Sequence, residues 1–174
     1  MTSPHNPACF QNHMGLMAVE SRFLRGALDA IRSGLWQPRA MEDWDVGPSS
    51  PPPPPYAIQG EATAVVRVTG PMAKSAGKYA QTGTAAVRRA LRAAVADPKV
   101  ASVLLVLDSP GGYVAGTQDL ADDVAAANEV KPVVAYCEDL CCSAAYWVAS
   151  AASKVYANAS AEVEFDEAHG WLIG

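Results

Sequence analysis

The chain has 174 residues, half of them hydrophobic, with a net charge of −5 and a pI near 5.1. That length suits one domain with a real core, and the acidic balance offers no basic patch for neutralising phosphates, which argues against nucleic acid as a partner. No run approaches the roughly eighteen apolar residues of a membrane span, and the start lacks the charged-then-apolar pattern of a secretory signal, so a cytoplasmic protein without membrane contact is expected.

Met1 to Gly15 mixes Pro, Asn and His without periodicity and reads as a loose end. From Leu16 to Ser33 the residues Leu16, Val19, Phe23, Leu24, Ala27, Leu28 and Ile31 recur at helical spacing, with Arg22, Arg25, Asp29 and Arg32 between them. This predicts an amphipathic helix, packed on the domain or presented to another protein, with Gly34 as its stop. The prolines of Gly47-Pro-Ser-Ser-Pro-Pro-Pro-Pro-Pro55 exclude a helix or sheet interior and read as a polyproline spacer, the alternative being a ligand for a proline-recognising partner.

Beyond the spacer, Thr63 to Thr69 reads as a strand ending in the turn Gly70-Pro71, and Lys74 to Thr82 as a polar loop. Val87, Leu91 and Val95 mark a helix over Ala85–Ala96 that Asp97-Pro98 ends. A strand over Ala101–Asp108 follows, then a helix marked by Leu120, Val124 and Ala127, a strand over Val133–Cys137, a helix over Ser143–Ala152 and a strand over Lys154–Ala157. Strands and helices alternating through short connections imply α/β layering with a parallel sheet and right-handed crossovers. Cys9, Cys137, Cys141 and Cys142 form no disulfide framework, and no histidine stands near in ligand spacing, so they read as small thiols, with no metal and no cofactor expected.

Two stretches carry chemistry. Val103-Leu-Leu-Val-Leu-Asp-Ser-Pro-Gly-Gly112 is an apolar strand that ends abruptly in a turn whose glycines let backbone N–H groups approach a ligand closely. Such donors are what a developing oxyanion needs. Cys141-Cys-Ser-Ala-Ala-Tyr-Trp147 places Ser143 just before a small-residue helical run, where positive potential favours an alkoxide. The pair suggests acyl transfer. An extended peptide would add as a strand at the edge beginning near Gly112-Tyr113-Val114, with Ala144 and Ala145 leaving room for a modest apolar side chain.

Asp108-Ser-Pro-Gly-Gly112, Val114-Ala-Gly116, Lys131-Pro-Val133 and Ser143-Ala-Ala-Tyr-Trp-Val-Ala-Ser150 resemble peptidase family S49, which holds signal peptide peptidase A and the capsid-maturation proteases of tailed phages. The resemblance implies a Clp protease/crotonase-like spiral of β-β-α units over 56–163, preceded by an N-terminal extension with one helix over 1–46 and the spacer 47–55, and followed by a non-matching tail over 164–174. It implies Ser143 as nucleophile, and Gly111 or Gly112 with the amide of Ala144 as oxyanion hole. Tyr113, Val114 and Ala145 then border the substrate groove. It also implies a protein or peptide substrate and a homo-oligomer. The lack of a signal or anchor pattern favours the phage type, with a capsid or scaffold protein as substrate in the host cell or prohead.

The family's base is a lysine well beyond the serine, in a dyad, and its position falls past Gly174. Lys74, Lys78, Lys99, Lys131 and Lys154 do not match it, and after Val163 the chain reads Glu164-Phe-Asp-Glu-Ala-His-Gly-Trp-Leu-Ile-Gly174 where a Gly-Ser-Ile-Gly-like segment is expected. The ending therefore reads as foreign or frame-shifted on a shortened protease domain, or as a divergent member. His169 stands at about the Clp spacing from Ser143 but outside that motif, and reads as a tail residue. Asp108 reads as a turn acceptor rather than a triad acid, and Tyr146 and Trp147 as core with a possible border on the groove. Two function classes remain, a serine endopeptidase and a catalytically silent module that keeps fold and oligomer surface. A crotonase-like acyl-CoA enzyme is a distant third.

Overall fold

The computed structural model describes residues 17–19, 21–33, 55–77 and 80–164. The expected loose end, the Gly34 stop, nearly all of the spacer and the tail from 165, with Cys9, Lys78 and His169, lie outside them. Ten strands are described: β1 (Met17–Val19), β2 (Ala57–Gln59), β3 (Thr63–Thr69), β4 (Met72–Ala73), β5 (Thr82–Gly83), β6 (Ser102–Ser109), β7 (Gly111–Tyr113), β8 (Val133–Cys142), β9 (Lys154–Ala157) and β10 (Glu162–Glu164). The helices are α1 (Ser21–Arg32), α2 (Thr84–Ala96), α3 (Thr117–Val130) and α4 (Ala144–Ser150).

The larger sheet runs β10-β8-β6-β3-β2, with β9 also on β8; the central pairs β3–β6 and β6–β8 are parallel. β3 and β6 are built from Val and Leu because nearly every position is covered: Val66, Val68, Leu105 and Leu107 are buried, and side chains on both faces of a parallel sheet meet apolar neighbours. The helices cover the sheet with stripes at helical spacing, Val87, Ala90, Leu91 and Ala94 on α2 and Leu120, Ala121, Val124 and Ala127 on α3. Burying each of these leucines removes apolar surface worth about 1.5–3 kcal/mol.

The smaller sheet runs β1-β7-β4-β5. It gives the chain a repeating path: a long strand in the large sheet, a short strand in the small one, then a helix, as in β3, β4, α2 and again in β6, β7, α3. The second repeat turns on Gly116, the left-handed N-cap of α3 (φ 89°), where a Cβ would also lie 2.6 Å from Thr84 Oγ1.

Three expectations are corrected. The predicted helix from Leu16 begins only at Ser21, because Met17–Val19 pairs antiparallel with β7 and that tertiary pairing overrides the helical spacing of the sequence. β8 continues past Cys137 to Cys142: the polar Glu138-Asp139 looks like a turn in sequence but sits at a register shift that the side chain of Asp108 spans by accepting the amide of Leu140 (3.3 Å). The predicted helix Ser143–Ala152 is shorter, with Ser143 outside it and Ala151 and Ala152 in closing turns.

Candidate active site

The site lies where β6 and β8 leave the large sheet. Ser109 of β6 pairs with Cys141 of β8, and Gly111 and Ser143 each stand two residues further on. Helix α4 packs against β6, β7 and β8, holding the serine end of α4 to the glycine strand. It can do so because its inward residues, Ala144, Ala145, Val148 and Ala149, are small and buried.

Ser143 sits in the sharp turn from β8 into α4 with φ 54° and ψ −118°, the one non-glycine residue of positive φ among the described residues. Such a conformation costs of order 1–3 kcal/mol for a residue with a Cβ. A serine on a strained strand-to-helix turn is the arrangement that presents a hydroxyl as a nucleophile. Ser143 is 8% exposed, so this strain sits at a shielded position. Its N–H donates to the Glu164 carbonyl (2.8 Å) and its carbonyl accepts from Trp147 N–H (3.0 Å), which fixes the turn from both sides.

The glycine strand is fixed as firmly. Ser109 Oγ donates to the Gly70 carbonyl (2.7 Å) and accepts from Gly111 N–H (3.2 Å), so the Gly111 amide is engaged within the turn. Gly111 has φ 98°, which glycine adopts freely. Gly112 pairs with Met72 of β4, and a Cβ there would lie 2.1 Å from the Met72 carbonyl oxygen. Gly112 is thus required for the close approach of two backbones. Tyr113 ends β7 and Val114 lies in the turn beyond, its carbonyl accepting from Thr117 N–H (3.0 Å). The edge expected to be open at Gly112-Tyr113 carries β1 on one side and β4 on the other.

The described lysines divide by position. Lys131 Nζ donates to the carbonyls of Asp97 (2.7 Å) and Ala94 (3.2 Å), and Lys99 follows α2, so both stand at the opposite end of the sheet. Lys154 pairs with Val134 at the start of β8, while Ser143 follows its end; at about 3.3 Å per residue the two are separated by on the order of 30 Å. Lys154 is therefore no candidate base. Lys74, exposed and directly after β4, is the described lysine on the Gly112 side.

Cys137, Cys141 and Cys142 form no disulfide with one another and are buried, as their small size in a dense core suggests, and burial pushes the thiols of Cys137 and Cys141 up. Raised thiols of this kind are inert. Cys142 Sγ and the carboxylates of Glu162 and Glu164 come within 4.8 Å of one another beside the serine, and Glu162 is also paired with Arg22 of α1. Tyr146 is half-buried against the core. Sequence reasoning missed two roles, the Glu164 carbonyl that holds Ser143 and the Ser109 hydroxyl that holds Gly111; the second was open to discovery, since a serine before Pro-Gly-Gly sits where a side chain bonds its own turn.

Residues 125–166 match the model of peptidase family S49. This segment is similar to peptidase family S49. The chain is 42% identical over 95 residues to the head-tail preconnector protein GP5 of Enterobacteria phage P21, covering 52% of this chain and 19% of that protein. It is 45% identical over 73 residues to capsid assembly protease C of Escherichia phage lambda, covering 42% of this chain and 17% of that one. It therefore spans less than a fifth of the length of these two relatives. Among solved structures it is similar to an enoyl-CoA hydratase/isomerase family member, with a TM-score of 0.51 at 18% identity over 65% of this chain and 49% of the other. At that identity the likeness concerns the fold alone, which is Clp protease/crotonase-like. No helix among the described residues is long and apolar enough to cross a membrane.

Proposed function

We propose that the protein is a serine endopeptidase of the capsid-maturation kind, with Ser143 as nucleophile. The observation that carries the reading is the strained turn at Ser143, set two residues past the pair that joins the glycine strand's parent β6 to β8. The hydroxyl attacks the scissile carbonyl, and the amide of Ala144 with the backbone of Gly111 or Gly112 receives the oxyanion. Gly111 N–H is engaged by Ser109, and Gly112 is a register partner of both Ala18 and Met72, so either glycine amide must be released to receive the oxyanion. Tyr113 and Val114, both partly exposed, border the groove, whereas Ala145, expected there as well, is buried against the sheet.

The names of the two phage relatives support a capsid or scaffold protein as substrate, acted on in the host cytoplasm or the prohead. The net charge of −5 supports a protein rather than nucleic acid as partner. Exposed strand edges support self-association. The base is the open element of this reading. A second reading, a silent module that keeps the fold and its surfaces, is favoured by the placement of Lys99, Lys131 and Lys154 away from Ser143.

One assay separates the two. Residues 1–174 are purified and incubated with casein and with short peptide esters, alongside Ser143→Ala. Turnover abolished by the substitution supports the endopeptidase and calls for Lys74→Ala and His169→Ala next. Turnover in neither protein supports the silent module.

A further inference from the structure

The chain's own N-terminal arm occupies the strand edge where a peptide would bind. β1 runs antiparallel to β7 with Val19 opposite Gly111, Ala18 opposite Gly112 and Met17 opposite Tyr113. These are the residues of the glycine strand and the first residue of the groove. An extended peptide adding to a sheet edge makes the same backbone ladder, because the ladder is set by main-chain groups and not by sequence.

Beyond β1 the chain also reaches β10. From β1 the chain enters α1, whose Arg22 pairs with Glu162 of β10. β10 is the strand whose Glu164 carbonyl holds the N–H of Ser143. One short stretch, from Met17 to Arg22, thus bridges the glycine strand and the strand that fixes the nucleophile.

The arm's described strand is short and its described ion pair is exposed. β1 is three residues long and ends the order of its sheet, with β7 as its pairing partner. The Arg22 and Glu162 side chains are 70% and 38% exposed. An ion pair so open to water holds weakly, and a three-residue terminal strand frays before a core strand does.

We propose that residues 17–19 are a tethered occupant of a peptide-strand site on β7, so that a substrate strand enters only when this arm lifts away. The proposal deepens the endopeptidase reading and rests on it for the identity of the groove. Substrate affinity is then reduced by the fraction of molecules whose arm is open. The ligand class is an extended peptide, bound antiparallel to β7 through backbone hydrogen bonds.

The test uses the whole chain in a Ser143→Ala background, so that binding is read without turnover. The probe is a fluorescein-labelled peptide copying residues 15–22, measured by anisotropy. Two variants loosen the arm differently: Met17→Gly/Ala18→Gly/Val19→Gly weakens the strand, and Arg22→Glu sets like charges against each other at Glu162. Circular dichroism and thermal unfolding check that each keeps its fold, and hydrogen exchange follows the amides of 111–113.

The arm-loosened variants should bind the peptide at least tenfold more tightly than the parent and exchange the 111–113 amides faster. Equal binding by parent and both variants would overturn the proposal. So would faster exchange without peptide binding, since the bared edge then accepts no strand, and so would unchanged exchange in both. With Ser143 restored, turnover that is serine-dependent but indifferent to the arm variants would keep the endopeptidase and remove the arm's role. Peptide binding released by the variants with no turnover would do the reverse.

Discussion

Ser109 and Cys141 are register partners across the two central parallel strands, and this pair sets the spacing of the site, because the glycine turn and the nucleophile turn both begin from it. Ser109 has a second duty in holding Gly70 and Gly111. Ser109→Ala leaves the buried Gly111 amide without its acceptor. A loss of about 1–3 kcal/mol is expected from an unsatisfied buried group, read as a lower denaturation midpoint at unchanged slope.

The strain at Ser143 predicts a stability difference between two variants at this position. Ser143→Gly relieves the positive φ and Ser143→Ala does not. The glycine variant should be the more stable by about 1 kcal/mol, the lower end of the cost of such a conformation, in urea unfolding of the two proteins side by side. Equal stability would mean the turn stores no strain.

At Gly112 a side chain meets backbone rather than open space, since the Met72 carbonyl would lie 2.1 Å from a Cβ. Even Gly112→Ala must push β7 from β4, and overpacking of this kind costs about 1–3 kcal/mol or more. If the chain or an intact relative is active, kcat should fall by about 10²–10³ as the oxyanion donor moves. A variant of full stability and full activity would remove Gly112 from the site.

Acid should weaken the α2–α3 contact. The carboxylate of Asp123 accepts from Arg88 Nε (2.7 Å) and Arg92 (2.8 Å). Burial acts to raise its pKa, but the two arginines prevail and hold it below its ordinary value of 3.8. A depressed carboxylate contributes stability that is full above the unfolded pKa and is lost as pH falls through the lower folded one. Unfolding midpoints from pH 6 down to pH 2 should fall more steeply for the parent than for Asp123→Asn.

Among the described residues the far edge of the large sheet, β9 and β10, exposes Val155 (40%), Tyr156 (55%) and Val163 (36%). Unpaired edges of this kind invite another chain. Sedimentation of the parent should show concentration-dependent association that Val155→Lys/Tyr156→Lys reduces. Monomer at every concentration would remove this edge as an interface.

The core strands and helices were legible because burial on both faces leaves a continuous run of Val and Leu, as in Thr63–Thr69, and a helix leaves a stripe, as in Val87 and Leu91. The turns at Gly111-Gly112 and at Ser143 were legible as places where an apolar strand gives way to small residues. β1, β7 and β4 were not, since two- and three-residue strands carry no periodicity and exist through pairing with chain remote in sequence. The end of β8 was hidden because Glu138 and Asp139 are polar, and the bulge they occupy is stabilised by Asp108 from the neighbouring strand. The same remoteness hid Glu164, whose backbone carbonyl and not its side chain serves the site.

The most direct measurement is covalent capture of the nucleophile. A fluorophosphonate is incubated with residues 1–174 from pH 7 to pH 10, and adducts are located by intact mass and peptide mapping. Ser143 in its strained turn should be the modified residue, slowly at neutral pH and faster as hydroxide takes the part of the base, with no adduct in Ser143→Ala. An adduct on another residue, or labelling undiminished by that substitution, would contradict the assignment of Ser143 as nucleophile.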